Sequence, residues 1–165
     1  FAFLVLAYTA VKGETPRLAG GPRIGGVPVE GVIGVGGRGG GDSDQVLRTL
    51  KGYADASDLK AIRGRIDSPG GAVAPSQEIY DELRRVAEDK VVVCSMGNVA
   101  ASGGLYVAMG CDRIVAEGGT LTGSIGVISQ FVNVKGLADR FAVKMGTAKS
   151  GKLKDAGNPF RDMTP

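Results

Sequence analysis

Hydrophobic and polar positions follow two different periods along the chain, and together they predict strands that alternate with helices. Apolar runs that are continuous, or that alternate with polar residues, predict strands at residues 27–35, 59–66, 90–95, 112–115, 125–134 and 142–145. Apolar residues at helical spacing predict helices that start near residues 42 and 75 and that cover residues 105–109 and 137–141. This alternation predicts an α/β fold with helices packed on sheets.

Two of the predicted helices carry an apolar stripe. The first begins at Asp42 or Ser43, residue types that suit a helix N-cap, and the second begins near Pro75, which suits a first helical position. The stripe residues expected to be buried are Val46, Leu47, Leu50 and Tyr53 in the first helix and Ile79, Leu83 and Val86 in the second. The strand at 59–66 instead has a polar centre, Arg63-Gly64-Arg65, which is unusual for a strand inside a sheet.

The two ends of the chain suggest how it is organised. It opens on eleven apolar residues without an initiating methionine, fewer than the roughly 20 that span a bilayer. This run fits the end of a truncated membrane anchor, the apolar region of a signal peptide, or a buried strand, and the missing methionine favours the anchor. We therefore expect an apolar segment at 1–11, a linker at 12–26, and one domain at 27–165 that is truncated at its C-terminal end.

Composition excludes several classes of function. The 28 glycines show no collagen-like period, and a formal charge of +3 with no tryptophan gives little reason to expect a nucleic-acid partner. The chain has no histidine, which excludes a Ser-His-Asp or Cys-His apparatus within one chain and histidine-based metal sites. We expect no metal and no cofactor. Cys94 and Cys111 lack zinc or redox-motif spacing; buried free thiols are favoured, and a disulfide stays open.

The stretch Asn98–Gly104 is a candidate site because it lies where an apolar strand hands over to a short helix. The first N–H groups of a helix have no partner inside it and favour negative charge. Ser102 at that position would be a nucleophile with an N–H beside it to hold an oxyanion. The commoner role of such a serine is a helix N-cap, and this stretch alone favours the cap.

Two glycine and serine turns could complete such a site. Pro-Gly-Gly within Asp67–Gly71 is usually a tight turn, but it would also present the N–H of Gly70 or Gly71 to an oxyanion. Ser124, in a loop predicted at 118–124, would accept or relay a hydrogen bond from a nearby amine. A turn serine is its commoner role.

Without histidine, a lysine is the leading candidate for a general base. The run Lys149–Asp155 is basic, and such runs are normally solvated loops. A lysine base must be mostly neutral near pH 7, which costs on the order of 4 kcal/mol of ammonium stability for a pKa lowered by roughly three units. Leu153 and Phe160 flank Lys154 and would help to exclude water from it.

Four motifs, in unbroken order, resemble the signal peptide peptidase A family, also called protease IV, of the ClpP/crotonase superfamily. They are DSPGG at 67–71, MGNVAASGGLY at 96–106, LTGSIGV at 121–127 and KSGKLKDAGNPFRDM at 149–163. The resemblance covers residues 27–165. It implies a ClpP/crotonase-like fold of repeated ββα units with sheets flanked by helices.

The resemblance also implies a serine/lysine-dyad peptidase. Ser102 matches the family's nucleophile, Lys154 its general base, and Ser124 the serine that hydrogen-bonds the lysine. Gly71 and Gly103 match the oxyanion hole.

For the whole protein, the resemblance implies peptide substrates such as signal-peptide remnants and a membrane anchor at the N-terminus. It further implies a catalytic domain on the extracytoplasmic side and a homo-oligomer that brings catalytic groups together across subunits. The chain departs from the family at Arg63-Gly64-Arg65 and at Leu105, where an aromatic residue is usual.

Two other functions remain open at the level of sequence. A crotonase-like acyl-CoA enzyme would use the same pair of N–H groups, but it typically needs carboxylates as acid and base, and no well-placed glutamate pair lies near the Gly-Gly turns. A catalytically silent membrane scaffold of the same fold would leave Ser102 unreactive.

Overall fold

The computed structural model of the chain describes residues 23–34 and 42–163. The predicted apolar segment at 1–11, most of the linker and the glycine-rich loop at 36–41 lie outside the described residues. The chain divides into two compact units, Phe1–Gly126 and Val127–Pro165, and each is described by itself.

A parallel sheet forms the centre of the first unit. Its strands are β1 (Arg23–Glu30), β2 (Leu59–Ser68), β3 (Val91–Ala101), β4 (Arg113–Val115) and β5 (Leu121–Gly123). The order is β1-β2-β3-β4, and β5 also pairs with β3, beyond the end of β4. The strand β3 is therefore the middle of the sheet and runs directly into the Ser102 stretch.

Helices α1 (Ser43–Asp55), α2 (Val73–Ala87) and α3 (Gly103–Ala108) follow β1, β2 and β3, while α4 (Lys135–Arg140) belongs to the second unit. Asp42 caps α1 by accepting hydrogen bonds from the backbone N–H groups of Asp44 and Gln45. Among the described residues, no helix combines the length and the apolar character that crossing a bilayer requires.

The core lies between the sheet and the helices of the first unit. It comprises Val27, Val29, Ile33, Val46, Leu50, Ile62, Ile66, Ile79, Leu83, Val86, Val92, Cys94, Met96, Ala100, Val107, Ala108 and Cys111. The predicted stripes of the first two helices are confirmed, with Leu47 and Tyr53 partly buried against the core. The α/β fold predicted from the hydrophobic pattern is confirmed as well.

The polar centre of β2 is explained by strand alternation. Gly64 points into the core, where a Cβ would lie 3.3 Å from Cys94 Sγ. Arg63 is exposed, while Arg65 is half-buried and donates to Ser95 Oγ (3.1 Å) and to the Met96 carbonyl (2.8 Å) on β3. The two arginines thus occupy the face of the sheet away from the core.

The start of the domain differs from the prediction. Strand β1 begins at Arg23 and ends at Glu30, so the last residues of the predicted linker belong to the sheet and the strand does not continue to residue 35. Gly25 belongs in the strand because its missing side chain admits the Tyr53 ring; a Cβ there would lie 2.6 Å from Tyr53 Cδ2.

Two predicted strands are wrong and one strand was missed. Residues 125–134 and 142–145 form no strand. The apolar side chains of the first segment lie in solvent instead, for example Ile125 (85% exposed) and Ile128 (83% exposed). Strand β5 ends at Gly123, where positive φ angles begin at Gly123 (88°) and Ser124 (51°), and the residues that follow pair with no strand among the described residues. The predicted loop at 118–124 instead contains β5, which pairs with the end of β3.

Candidate active site

The central strand carries an irregularity just before Ser102. The β2–β3 register shifts between Ile66 and Ser68, because Ile66 pairs with Met96 whereas Ser68 pairs with Ala100. The Asp67 carboxylate lies in the resulting bulge and accepts the Val99 N–H at 3.0 Å. Gly97 leaves room for it, since a Cβ there would lie 2.6 Å from Asp67 Cγ. Asp67 therefore holds the end of β3 that leads to Ser102. The sequence did not indicate this role, although Asp67 begins the DSPGG motif.

Ser102 occupies a strained turn between β3 and α3. Its φ of 50° and ψ of −120° lie in a region that non-glycine residues rarely adopt, and such strain clusters at functional sites. Ser102 holds the N-cap position, but its side chain makes no capping hydrogen bond. Ser102 is half-buried, and its hydroxyl does not play the capping role that the stretch alone favours.

The Pro-Gly-Gly turn packs directly against this serine. A Cβ built on Gly70 would lie 2.7 Å from the Gly103 N and 3.0 Å from Ser102 Cβ. A Cβ on Gly103 would in turn lie 3.3 Å from the Gly71 N. The two glycines predicted to form an oxyanion hole are therefore brought together beside Ser102, at a separation that side chains would prevent.

Among the residues that the structure describes, the local backbone hydrogen bonds use neither the Gly71 N–H nor the Gly103 N–H. Ile33 forms a parallel bridge with Gly71 by donating to the Gly70 carbonyl (2.9 Å) and accepting from the Ala72 N–H (2.9 Å), so the bridge does not use the Gly71 N–H. Gly103 is the first residue of α3, where N–H groups have no intrahelical acceptor. The arrangement can donate two hydrogen bonds to an oxygen next to Ser102.

Strand β5 fixes the other side of the serine. The Ser102 N–H donates to the Gly123 carbonyl at 2.8 Å, and the Thr122 hydroxyl donates to the Ala100 carbonyl at 2.7 Å. Ser124 follows directly, with φ of 51°. Ser124 is thus adjacent in the chain to the residue that accepts the Ser102 N–H.

Lys154 lies in the second unit, in a segment of successive turns. The neighbouring Asp155 organises this segment: its carboxylate accepts from Lys149 Nζ (2.5 Å) and Arg161 Nε (2.8 Å). Hydrogen bonds from Lys149 and Arg161 lower the pKa of Asp155 to about 2. Asp155 is a second residue that the sequence reasoning missed; the basic run around it was interpreted as a solvated loop.

The predicted shielding of Lys154 is not present in the single chain. Lys154 is exposed, Leu153 is 82% exposed and Phe160 is half-buried. Leu153 therefore does not exclude water from Lys154 among the described residues, and this expectation is wrong for the single chain. The role of Lys154 as a base stays a prediction.

Comparisons with known families give a consistent result. The model of Peptidase family S49 matches residues 84–165, and the model of the Clp protease family matches residues 41–117. The first match contains Ser102, Gly103, Ser124 and Lys154, while the second contains Gly71.

Several curated relatives carry protease names. A protein of Synechocystis sp. that is described provisionally as a protease is 45% identical over 125 residues, which cover 76% of this chain and 45% of that protein. The chloroplastic serine protease SPPA of Arabidopsis thaliana is 38% identical over 113 residues, covering 68% of this chain and 17% of that protein. The chain spans less than half the length of these relatives.

One solved structure supports the fold. A membrane-bound stomatin-specific protease superposes with a TM-score of 0.54 at 19% identity, over 69% of this chain and 53% of that one. The α/β architecture with helices on a parallel sheet is therefore shared with a known protease.

Proposed function

Because this chain belongs to Peptidase family S49, the signal peptide peptidase A family of the ClpP/crotonase superfamily, we propose that it carries the active site of a serine endopeptidase with a serine/lysine dyad. The observation that carries the proposal is the meeting of two turns: Gly70 and Gly71 pack against Ser102 and Gly103. The proposed active site is built at this contact.

Ser102 is the proposed nucleophile. Its strained backbone turns the side chain out of the strand direction, as in other serine hydrolases whose nucleophile lies on a sharp strand-to-helix turn. The absence of a capping hydrogen bond from its side chain supports a hydroxyl that is free to attack a carbonyl. Asp67 and β5 hold the strand on which this turn is built.

The N–H groups of Gly71 and Gly103 are the proposed oxyanion hole. Fixed backbone donors stabilise the charge that develops on a carbonyl oxygen during acyl transfer, and removing one such donor typically costs about 3–4 kcal/mol of transition-state stabilisation. Gly71 is held by its bridge to Ile33, so this donor does not have to be ordered when substrate binds.

Lys154 is the proposed general base, with Ser124 accepting a hydrogen bond from its amine. Neutral Lys154 takes the proton of Ser102, which attacks the peptide carbonyl; the resulting ammonium then protonates the leaving amine. Water repeats the sequence on the acyl-enzyme and releases the second product.

The exposure of Lys154 supports an oligomer. A lysine that acts as a base needs surroundings that exclude water, and the described residues of the single chain leave Lys154 exposed. The second unit also exposes large apolar side chains, including Phe141 (70% exposed) and Leu153 (82%). We propose that neighbouring copies of the chain cover Lys154 and complete the dyad.

The proposed substrates are cleaved signal peptides and other apolar peptides at a membrane. We further propose a membrane-anchored protein whose catalytic domain faces the extracytoplasmic side. Both proposals rest on family membership and on the predicted anchor at residues 1–11.

Single substitutions in the full-length protein that carries this chain test the dyad. Ser102→Ala and Lys154→Met are each expected to lower kcat/KM for an apolar peptide by at least about a thousandfold, since nucleophile and base act as one unit. Matched controls are Ser57→Ala, at an exposed serine between α1 and β2, and Lys152→Met, on the same turn segment as Lys154. Hydrolysis is followed by release of a fluorescent product.

Each outcome of this assay decides between functions. Loss of hydrolysis in both dyad variants, with near-normal controls, supports the peptidase. Undiminished turnover in Ser102→Ala and Lys154→Met contradicts it. Hydrolysis of acyl-CoA thioesters without peptide cleavage would favour the crotonase-like enzyme instead.

A further inference from the structure

We propose that Cys94 and Cys111 are the site of an intramolecular disulfide that closes a loop around the Ser102 turn. Their sulfur atoms lie 2.8 Å apart, although the residues are seventeen positions apart along the chain. Both side chains are buried, Cys94 completely and Cys111 with 8% exposure. The bond would stabilise the backbone around Ser102, and its formation is measured without any catalytic assay.

Hydrogen bonds on either side hold the two cysteines in place. The Asp112 N–H donates to the Val92 carbonyl at 2.9 Å, and the Val92 N–H donates back to the Asp112 carboxylate at 2.8 Å. Cys94 itself is in register with Ile114 of β4. Because the backbone is fixed next to both residues, the sulfur atoms meet without a rearrangement of the sheet.

The loop between the two cysteines contains Ser102 and Gly103 of the candidate active site. Residues 95–110 comprise the bulge opposite Asp67, the Ser102 turn and helix α3. In the folded chain the ends of this segment already touch. A covalent bond there would keep the segment closed when the surrounding structure opens transiently, and so preserve the strained turn.

The oxidation needs a disulfide-containing co-reactant such as oxidised glutathione. A Cys111 thiolate attacks one sulfur of that disulfide, forms a mixed disulfide and expels one glutathione thiolate. Cys94 then attacks the Cys111 sulfur and expels the second glutathione. The two protein thiols lose two electrons and two protons, the co-reactant becomes two thiols, and one new S–S bond remains.

The burial of the two thiols determines at which stage the disulfide can form. The hydrogen bond with Cys111 and desolvation both raise the pKa of the Cys94 thiol, so little thiolate is present at neutral pH. Exchange in the closed fold is therefore slow, and the bond is expected to form during folding or local opening.

The test is a thiol count on the protein refolded in oxidised glutathione. After an acid quench and unfolding in denaturant, N-ethylmaleimide is expected to label neither Cys94 nor Cys111. Mass spectrometry of proteolytic fragments is expected to show the two joined within one chain. Dithiothreitol should restore both labels.

The bond should lower the unfolding equilibrium constant roughly a hundredfold, as for a loop of about this span, whereas the double variant Cys94→Ala/Cys111→Ala should show no redox dependence.

Three results would overturn the proposal. They are two alkylatable thiols per chain after equilibration with oxidised glutathione, glutathione mixed disulfides in place of the internal bond, and a bond between separate chains. The wild-type thiol count decides the question alone if the alanine variants fail to fold. Slower amide exchange over 95–110 in the oxidised form is the expected consequence for the Ser102 turn.

Discussion

The candidate site depends on residues whose side chains are small or absent. Gly70 and Gly103 allow the turn after β2 to touch the turn after β3, and Gly97 makes room for the Asp67 carboxylate. Ser102 bears the strain of this close packing, with its backbone in a region that L-residues rarely adopt. The geometry at the serine is therefore set by backbone contacts.

Gly103→Ala is expected to separate the two turns. Its Cβ would lie 2.5 Å from Ser76 Oγ and 3.3 Å from the Gly71 N, so the substitution should lower the free energy of unfolding by about 1–3 kcal/mol through overpacking. Gly52→Ala in α1 is the matched control: its Cβ meets nothing within 4 Å and should raise that free energy by about 0.5–1 kcal/mol. Urea denaturation measures both, and equal effects would contradict the close packing.

At the scale of elements, different interactions stabilise the inside of each unit. The first unit uses a parallel sheet covered by helices, with a continuous apolar core. The segment 149–161 of the second unit instead has successive turns tied by one carboxylate, because Asp155 accepts from both Lys149 and Arg161. The segment that carries Lys154 is thus held in part by the ion pairs of the adjacent Asp155.

This dependence predicts sensitivity to acid. Asp155 has a folded-state pKa of about 2, against about 3.9 when unfolded. A lowered pKa stabilises the folded segment above about pH 4, and that contribution is lost as pH falls through about 2. The protection of the amides over 149–161, taken relative to the intrinsic exchange rate at each pH, should therefore fall between pH 4 and pH 2.

Two variants separate the Asp155 cluster from general acid effects. Asp155→Asn should show less amide protection over 149–161 at neutral pH and should lose most of the fall in protection between about pH 4 and 2. Asp89→Asn, at an exposed aspartate after α2, should behave as wild type. An Asp155→Asn protein with an unchanged pH profile would show that the ion pairs do not hold this segment.

On the scale of the whole molecule, the proposed dyad draws on both units. Ser102, Gly71, Gly103 and Ser124 belong to the first, and Lys154 belongs to the second. Lys154 is exposed among the described residues, which is why the proposed dyad includes a neighbouring copy of the chain.

The sequence predicts the first unit well and the second poorly, for a physical reason. Helices α1 and α2 and the core of β2 and β3 follow from apolar periodicity, because their stripes are buried against each other. The apolar residues at 125–134 show the same pattern but remain exposed and unpaired among the described residues. Periodicity identifies a surface that can be buried; it does not identify the partner that buries it.

The motifs, and not the apolar periodicity, identify the candidate site. Each motif alone favours an ordinary structural role, such as a helix N-cap for Ser102. Only the four motifs together, through the family that they resemble, indicate a peptidase. The backbone strain at Ser102 and the bulge filled by Asp67 arise from contacts between β2 and β3, which no local pattern encodes.

The most direct test of the proposed dyad is the distance between Ser102 Oγ and Lys154 Nζ in a crystal structure of the assembled full-length protein, measured within each chain and between neighbouring chains. A working dyad places these atoms within about 2.6–3.2 Å of each other, with the amine shielded from bulk water. A lysine side chain that stays in solvent, beyond hydrogen-bonding reach of every copy of Ser102, would contradict the account.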